Sequence, residues 1–166
     1  GSWDGAVRLW DVPKGKRIKL FQGNKSCVNA VAFSPDGQYV LSGSDDNTLR
    51  LWRTFERKAE RIFEGHKYHV TCLAFSPDGK YVLSGSFDNT LRLWDVVSGR
   101  EIRLFVGHKA PIRSVTFSPD GRYALSSSND RSLRLWEVST GRKIRVFEGH
   151  RKSIRAVDFS PDGKTV

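Results

Sequence analysis

VTCLAFSPDGKYVLSGSFDNTLRLWDVVSGREIRLFVGH, residues 70–108, is the stretch whose reading decides the fold. Its first run, VTCLAF (70–75), is mostly apolar, as a short strand buried on both faces requires. SPDG (76–79) then supplies turn chemistry: Pro77 fixes φ, Asp78 bonds local backbone and Gly79 tolerates positive φ. KYVLSGS (80–86) reads as a second strand and FDN (87–89) as a tight connection. TLRLWD (90–95) alternates apolar and polar residues with the period of a half-buried strand. VVSG (96–99) turns the chain again, and EIRLFV (101–106) repeats the alternation before Gly107–His108. The chain shows no helical period.

Outward from this stretch the same pattern recurs. SPDG stands at 34–37, 76–79, 118–121 and 160–163, an interval of 42 residues each time. Trp10, Trp52, Trp94 and Trp136 keep that interval, as do Gly23, Gly65, Gly107 and Gly149. Residues 28–69 and 70–111 are identical at 25 of 42 positions, far beyond chance. Four short strands in a repeat of about 40–45 residues is the signature of propeller blades. The reading is therefore all-β, with blades at 28–64, 70–106 and 112–148 and a fourth divided between 1–22 and 154–166.

The composition, 38% hydrophobic with 11% aromatic residues, is that of a globular chain. No run approaches the ~18 consecutive apolar residues of a membrane helix, so no membrane insertion is expected. The start, GSWDGAVRLW, lacks the cationic flank and long apolar run of a secretory signal. Cys27 and Cys72 fall in different phases of the repeat and suggest no disulfide, so a reduced, cytoplasmic setting is expected.

Repeats with Gly-His toward one end and Trp-Asp toward the other resemble the WD-repeat β-propeller family over essentially all 166 residues. Trp10-Asp11 and Trp94-Asp95 match in full, whereas Trp52-Arg53 and Trp136-Glu137 keep only the tryptophan. The resemblance implies four-stranded antiparallel blades and a function of binding rather than catalysis. It further implies a buried hydrogen-bond relay in each blade, made by His66, Ser84, Asp88 and Trp94, and again by His108, Ser126, Asp130 and Trp136. Such a relay makes physical sense, because a buried indole N–H needs an acceptor and an imidazole tied to a carboxylate holds turns together. A hydrolase triad is not expected: an active site does not come once per repeat, and no oxyanion site is apparent. Histidines spaced by 42 residues do not have metal-ligand spacing either, so no metal or cofactor is expected.

Two departures stand out. Asn24 replaces the histidine that would serve Ser42, Asp46 and Trp52, so that relay should be weaker or rearranged. His150 would have to meet Asp4 and Trp10 at the opposite end of the sequence, with Ser2 as the nearest substitute for the serine.

Gly1-Ser2 align with Gly43-Ser44 and Val166 with Val40. The chain thus opens with the third and fourth strands of a blade, about 6–11 and 17–22, and closes with the first and second, about 154–159 and 164–166. Unpaired strand edges seek partners, so these parts should complete each other within one chain or between two. Four blades in one ring require about 90° between neighbours, and seven or eight only about 45–51°. The expectation is a head-to-tail homodimer with eight blades, two of them composite; a four-bladed monomer is the alternative. This phase suits a fragment or an engineered half-propeller.

Net charge is +10, with a pI near 9.9. Arg8, Arg50, Arg92 and Arg134 on the third strand, and Lys19, Arg61, Arg103 and Arg145 on the fourth, read as solvated rim positions. Lys25, Lys67, Lys109, Arg151 and Lys152 follow the Gly-His position, in loops that WD-repeat propellers place on one face, with Arg113 and Arg155 near the channel mouth. Such a face could hold an acidic peptide, nucleic acid or phosphorylated lipid by salt-sensitive binding. Stacking aromatics and a recognised nucleic-acid module are missing. Trp3, Tyr68, His69, Phe87 and the stretch RTFERKAE (53–60) occur once each and are the candidates for anything specific to one unit.

Overall fold

A computed structural model of the chain describes residues 1–56 and 59–166; of the single-copy stretch 53–60, residues 57–58 lie outside the described residues. Strands β1 (Val7–Trp10) and β2 (Arg17–Phe21) form a two-stranded first sheet. The second sheet has β3 (Val28–Phe33), β4 (Tyr39–Ser44), β5 (Leu49–Arg53) and β6 (Ala59–Phe63) in meander order. The third repeats it with β7 (Val70–Phe75), β8 (Tyr81–Ser86), β9 (Leu91–Asp95) and β10 (Glu101–Phe105). The fourth comprises β11 (Ile112–Phe117), β12 (Tyr123–Ser128), β13 (Leu133–Glu137) and β14 (Lys143–Phe147). Every pairing is antiparallel and the register repeats: Val40, Val82 and Ala124 lie opposite Trp52, Trp94 and Trp136. No helix long and apolar enough to cross a membrane is present among the described residues.

The turns form for the reasons read in the sequence. In each SPDG turn the serine hydroxyl bonds the aspartate and accepts the backbone N–H of the residue that opens the next strand, Tyr39 for Ser34 at 2.9 Å and Tyr81 for Ser76 at 2.9 Å. The connection between second and third strands needs a left-handed residue, filled by Asn47, Asn89 and Arg131 at φ near 70°. Apolar burial runs between sheets rather than within them. One cluster joins Val7 and Phe21 to Val28, Val40 and Trp52; the next joins Leu41 and Phe63 to Val82 and Trp94; the third joins Leu83 and Phe105 to Ala124 and Trp136. The second and third sheets are thus covered on both faces by their neighbours in a propeller stack, and the first and fourth on one face only.

The ends behave differently. The expected strands at 154–159 and 164–166 are absent, because a strand is a ladder and the segment has no ladder partner in the chain. It nevertheless lies where an inner strand would: the Ile154 N–H donates to the Ser128 carbonyl at 3.2 Å, as the Val28 N–H does to the Ser2 carbonyl at 3.1 Å. Among the described residues no backbone hydrogen bond joins 1–22 to 154–166. The two parts of the fourth unit stay apart, and Trp10 is 55% exposed while Trp52, Trp94 and Trp136 are each 1% exposed.

Candidate functional site: the inter-sheet relays and the open faces

In the third sheet, His66 arrives on the loop after β6 and reaches across to β8 and the β8–β9 turn. Its Nδ1 lies 2.8 Å from Asp88 and its Nε2 lies 2.7 Å from the Ser84 hydroxyl, which accepts the Trp94 indole N–H at 2.8 Å. The fourth sheet repeats this with His108, 2.7 Å from Asp130 and 2.8 Å from Ser126, and with the Trp136 N–H 2.9 Å from Ser126. The partners assign the protons. A carboxylate only accepts, so Nδ1 carries hydrogen; Nε2 accepts the serine O–H, and the serine oxygen accepts the indole. Every member is satisfied by a neutral histidine. The Lys67 and Lys109 backbone N–H groups also donate to Asp88 and Asp130, both at 3.0 Å. Since each histidine belongs to the loop of the preceding sheet, the relay is a clamp between sheets. Edge-on contacts of Phe63 with Trp94 and of Phe105 with Trp136, at 5.8 and 5.7 Å between centroids, reinforce it.

The second sheet rearranges the clamp. Asn24 Oδ1 accepts from the Ser42 hydroxyl at 3.2 Å and from Arg50 at 3.1 Å, and the Arg50 guanidinium lies 2.7 Å from Asp46. The Trp52 N–H still donates to Ser42 at 3.0 Å. A guanidinium and an amide together occupy the place of one imidazole.

This corrects the reading of the third-strand arginines as solvated. Arg50 is 4% exposed and Arg134 is 8% exposed, the latter 3.6 Å from Asp130. Alternation told which face they occupy, but in a stack that face meets the loop of the preceding sheet. Arg92 is bound instead to Glu101 of its own sheet, and Arg8 to Asp4. The fourth-strand cations also do more than face water. Lys19 reaches the Thr54 carbonyl at 3.2 Å, Arg61 that of Ser98 at 3.0 Å, and Arg103 those of Thr140 and Ser139 at 2.8 and 2.6 Å. Each ties an outer strand to the turn of the following sheet, a contact spanning some 35 residues that no local pattern announces.

At the open ends the predicted relay is not assembled within one chain. His150 is exposed, Asp4 is held by Arg8, and Trp10 lines an apolar groove of about 410 Å³ with Val7, Phe21, Val31, Phe33 and Val40. Lys25, Lys67, Lys109, Arg151, Lys152 and Arg155 are exposed on the loops and the C-terminal segment. Arg113 is half-buried; its guanidinium sits 4.9 Å over the Phe87 ring and bonds Asn129. His69 meets Asp45 at 3.0 Å and packs on Phe87, whereas Tyr68 and Trp3 project outward. No group of three or more metal-binding side chains occurs among the described residues. Cys27 and Cys72 are free, and burial pushes the Cys72 thiol up to about 12.

The relays carry a pH dependence. Burial pushes the Asp88 carboxyl up, but hydrogen bonds from His66, Thr90 and the Lys67 N–H outweigh it and hold the carboxyl below its ordinary value of 3.8. Burial likewise opposes ionisation of Asp130, and bonds from Ser132, the Lys109 N–H and His108 overcome it. Burial is also the main influence on His108 and holds its imidazole below the ordinary 6.5. All three values are depressed in the folded chain, so the unfolded chain binds more protons as pH falls and stability drops with it. The thermal midpoint should therefore fall on acidification, first below about 6.5 through His108 and further below about 3.8 through the aspartates. Calorimetry across pH 7.5 to 3 checks this, and His108→Gln should flatten the upper part of the curve.

Four-stranded antiparallel sheets stacked face on face, each clamped to the next by a Trp–Ser–His–Asp relay, define a propeller repeat protein. The WD domain, G-beta repeat family matches residues 15–53, 57–95, 99–137 and 141–166, and the chain belongs to that WD-repeat family. Each match begins at the outer strand of one sheet, so the sequence unit straddles the clamp that joins two sheets. Transcription initiation factor TFIID subunit 5 of Caenorhabditis elegans is 50% identical over 42 residues, which is 25% of this chain and 6% of that protein. The guanine nucleotide-binding protein subunit beta of Oryza sativa subsp. indica is 44% identical over 46 residues, 27% of this chain and 12% of its own length. The small ribosomal subunit protein RACK1y of Oryza sativa subsp. japonica is 44% identical over 43 residues, 26% of this chain and 13% of that protein. The similarity thus spans about one repeat and a small part of each relative.

Proposed function

We propose that the chain is a non-enzymatic interaction scaffold whose defining interaction is with a second copy, the two closing one ring of eight sheets. The observation that carries this is the first sheet. It has only β1 and β2, and its tryptophan is 55% exposed where its three sisters are 1% exposed. Residues 154–166 have the sequence of the two missing strands but lie against the fourth sheet, with no ladder partner there. Two copies related by a two-fold axis give two identical junctions and leave no half-sheet unpaired, and closure of this kind ends assembly at the dimer. Relatives named as subunits of larger assemblies fit an assembly role. Ser84 and Ser126 are buried and each is engaged by an indole and an imidazole, so neither is a solvent-facing nucleophile, which supports the non-enzymatic reading. The free cysteines fit a reducing compartment.

Light scattering coupled to size exclusion over a dilution series tests this. A single species near 37.6 kDa, twice the 18.8 kDa of the chain, is expected to persist on dilution. A stable 18.8 kDa species, or a ladder of larger masses from chains that add without closing, overturns it. In the assembled ring the exposed basic loops form a positive face open to an acidic peptide, nucleic acid or phosphorylated lipid. The exposure of Lys25, Lys67, Lys109, Arg151 and Lys152 is the observation that favours this second role.

A further inference from the structure

The closing junction has a definite register. The three junctions inside the chain use the same contacts, each displaced by 42 residues from the last. An outer-strand phenylalanine covers the next sheet's tryptophan: Phe21 on Trp52, Phe63 on Trp94 and Phe105 on Trp136, at 5.6, 5.8 and 5.7 Å. An outer-strand cation reaches the next sheet's third turn, as Arg61 reaches Ser98 and Arg103 reaches Thr140. Within each sheet the second strand meets the third with Val40 opposite Trp52 and Tyr39 opposite Arg53, and with Val82 opposite Trp94 and Tyr81 opposite Asp95.

Continued by one further displacement, each rule names residues whose partners are not met within the chain. After Phe105 comes Phe147, half-buried where its sisters are fully covered, and the next tryptophan in phase is Trp10. After Arg103 comes the exposed Arg145, and the next third turn is Pro13–Lys14. After Val82 and Ala124 comes Val166, exposed, and after Tyr123 comes Thr165. All the unmatched halves on one side fit all those on the other at a single offset. A wrong register would match some and misplace the rest, because a one-residue slip turns every side chain to the opposite face.

We infer that residues 154–166 of one copy add to the β1–β2 sheet of the second copy with Val166 opposite Trp10 and Thr165 opposite Asp11. In this arrangement Phe147 covers the second copy's Trp10, and Arg145 reaches the carbonyls of its Pro13–Lys14 turn. The inference rests on closure by a second copy and adds to it the register and the contacts. It also gives the apolar groove beside Trp10 an occupant, since the sister segments 70–82 and 112–124 fill the same place in their own sheets.

Directly opposed residues of an antiparallel pair lie within the ~4.4–6.8 Å between Cα atoms that a disulfide spans. The variant Thr165→Cys with Asp11→Cys, oxidised under mild conditions, should run on a non-reducing denaturing gel mostly as a species of twice the chain mass. Either substitution alone should give only the background set by Cys27 and Cys72. Thr165→Cys with Leu9→Cys, the pair joined by a two-residue slip, should remain at background. If the unmodified chain is dimeric in solution but the slipped pair links as well as the 165–11 pair, or neither links, the register is wrong and closure stands. If the 165–11 pair links within one chain at 18.8 kDa, the second copy is excluded as the occupant. If the unmodified chain is monomeric, closure itself fails.

Discussion

Replacing Trp94 by alanine should lower the unfolding free energy by about 3–5 kcal/mol, the range for a large aromatic removed from a close-packed site. The indole is 1% exposed, packs on Phe63 of the preceding sheet and donates its N–H to Ser84 at 2.8 Å. Its loss opens a cavity at a seam between sheets and removes one partner of the buried serine, so transfer and hydrogen-bond terms add. Trp52→Ala and Trp136→Ala should fall in the same range, because each has the same phenylalanine and serine at nearly the same distances. Trp10→Ala should behave differently. In an isolated chain that indole is mostly in water, so chemical unfolding at high dilution should register a change of about 1 kcal/mol or less, as surface substitutions do. In the proposed ring the indole would pack against Phe147 of the other copy, so the same change should shift the solution mass toward 18.8 kDa while the sheets remain folded by circular dichroism. A Trp10→Ala chain that keeps the dimer mass at all concentrations would contradict the junction.

The contrast among the four tryptophans shows what the sequence made legible. The 42-residue interval, the SPDG turns and the four strands of each complete unit could be read directly, because turn chemistry and period-two alternation are local. The relay partners were legible through the resemblance to WD-repeat propellers, which implies a relay at residues that recur in one phase, His66, Ser84 and Asp88 and then His108, Ser126 and Asp130. What stayed hidden depends on the third dimension. Arg50 alternates with Leu49 and Leu51 and so reads as facing solvent, yet it is buried, since the face opposite the leucines meets the loop that carries Asn24. Alternation distinguishes two faces and is silent on what covers each. The carbonyl contacts of Lys19, Arg61 and Arg103 were hidden for a related reason, as they join residues 35 to 37 apart in neighbouring sheets. Residues 154–159 and 164–166 carry strand sequence without strand structure because propensity needs a partner edge to act on.

Arg50 therefore supplies the sharpest mutational test inside the chain. Removing one member of a buried ion pair leaves the other charge uncompensated, at a cost of about 3–5 kcal/mol. Arg50→Met should approach that range: Asp46 would keep the Thr48 and Lys25 N–H bonds but lose the guanidinium at 2.7 Å, and Asn24 Oδ1 would lose one of its two donors. Arg92→Met at the sister position should cost about 1 kcal/mol, since Arg92 pairs with the partly exposed Glu101 and the relay carboxylate Asp88 is already held by His66. The two sheets share the serine, the tryptophan and the aspartate, so the difference comes from Asn24 against His66. Asn24→His by itself should change stability by no more than about 1 kcal/mol, because in the fourth sheet an imidazole on Asp130 and Ser126 leaves room for the Arg134 guanidinium 3.6 Å from the same carboxylate. Combined with Arg50→Met it should restore stability, with the new imidazole bridging Asp46 and Ser42 as His66 bridges Asp88 and Ser84. Urea unfolding of the two single variants and the double variant closes the cycle, with a coupling of at least about 2 kcal/mol toward rescue expected for residues in one hydrogen-bond network. Strict additivity would mean that Arg50 does not occupy the place of the missing histidine, and that the second sheet is held to the first by the apolar cluster around Phe21 and Trp52 and by the Lys19 contact with Thr54.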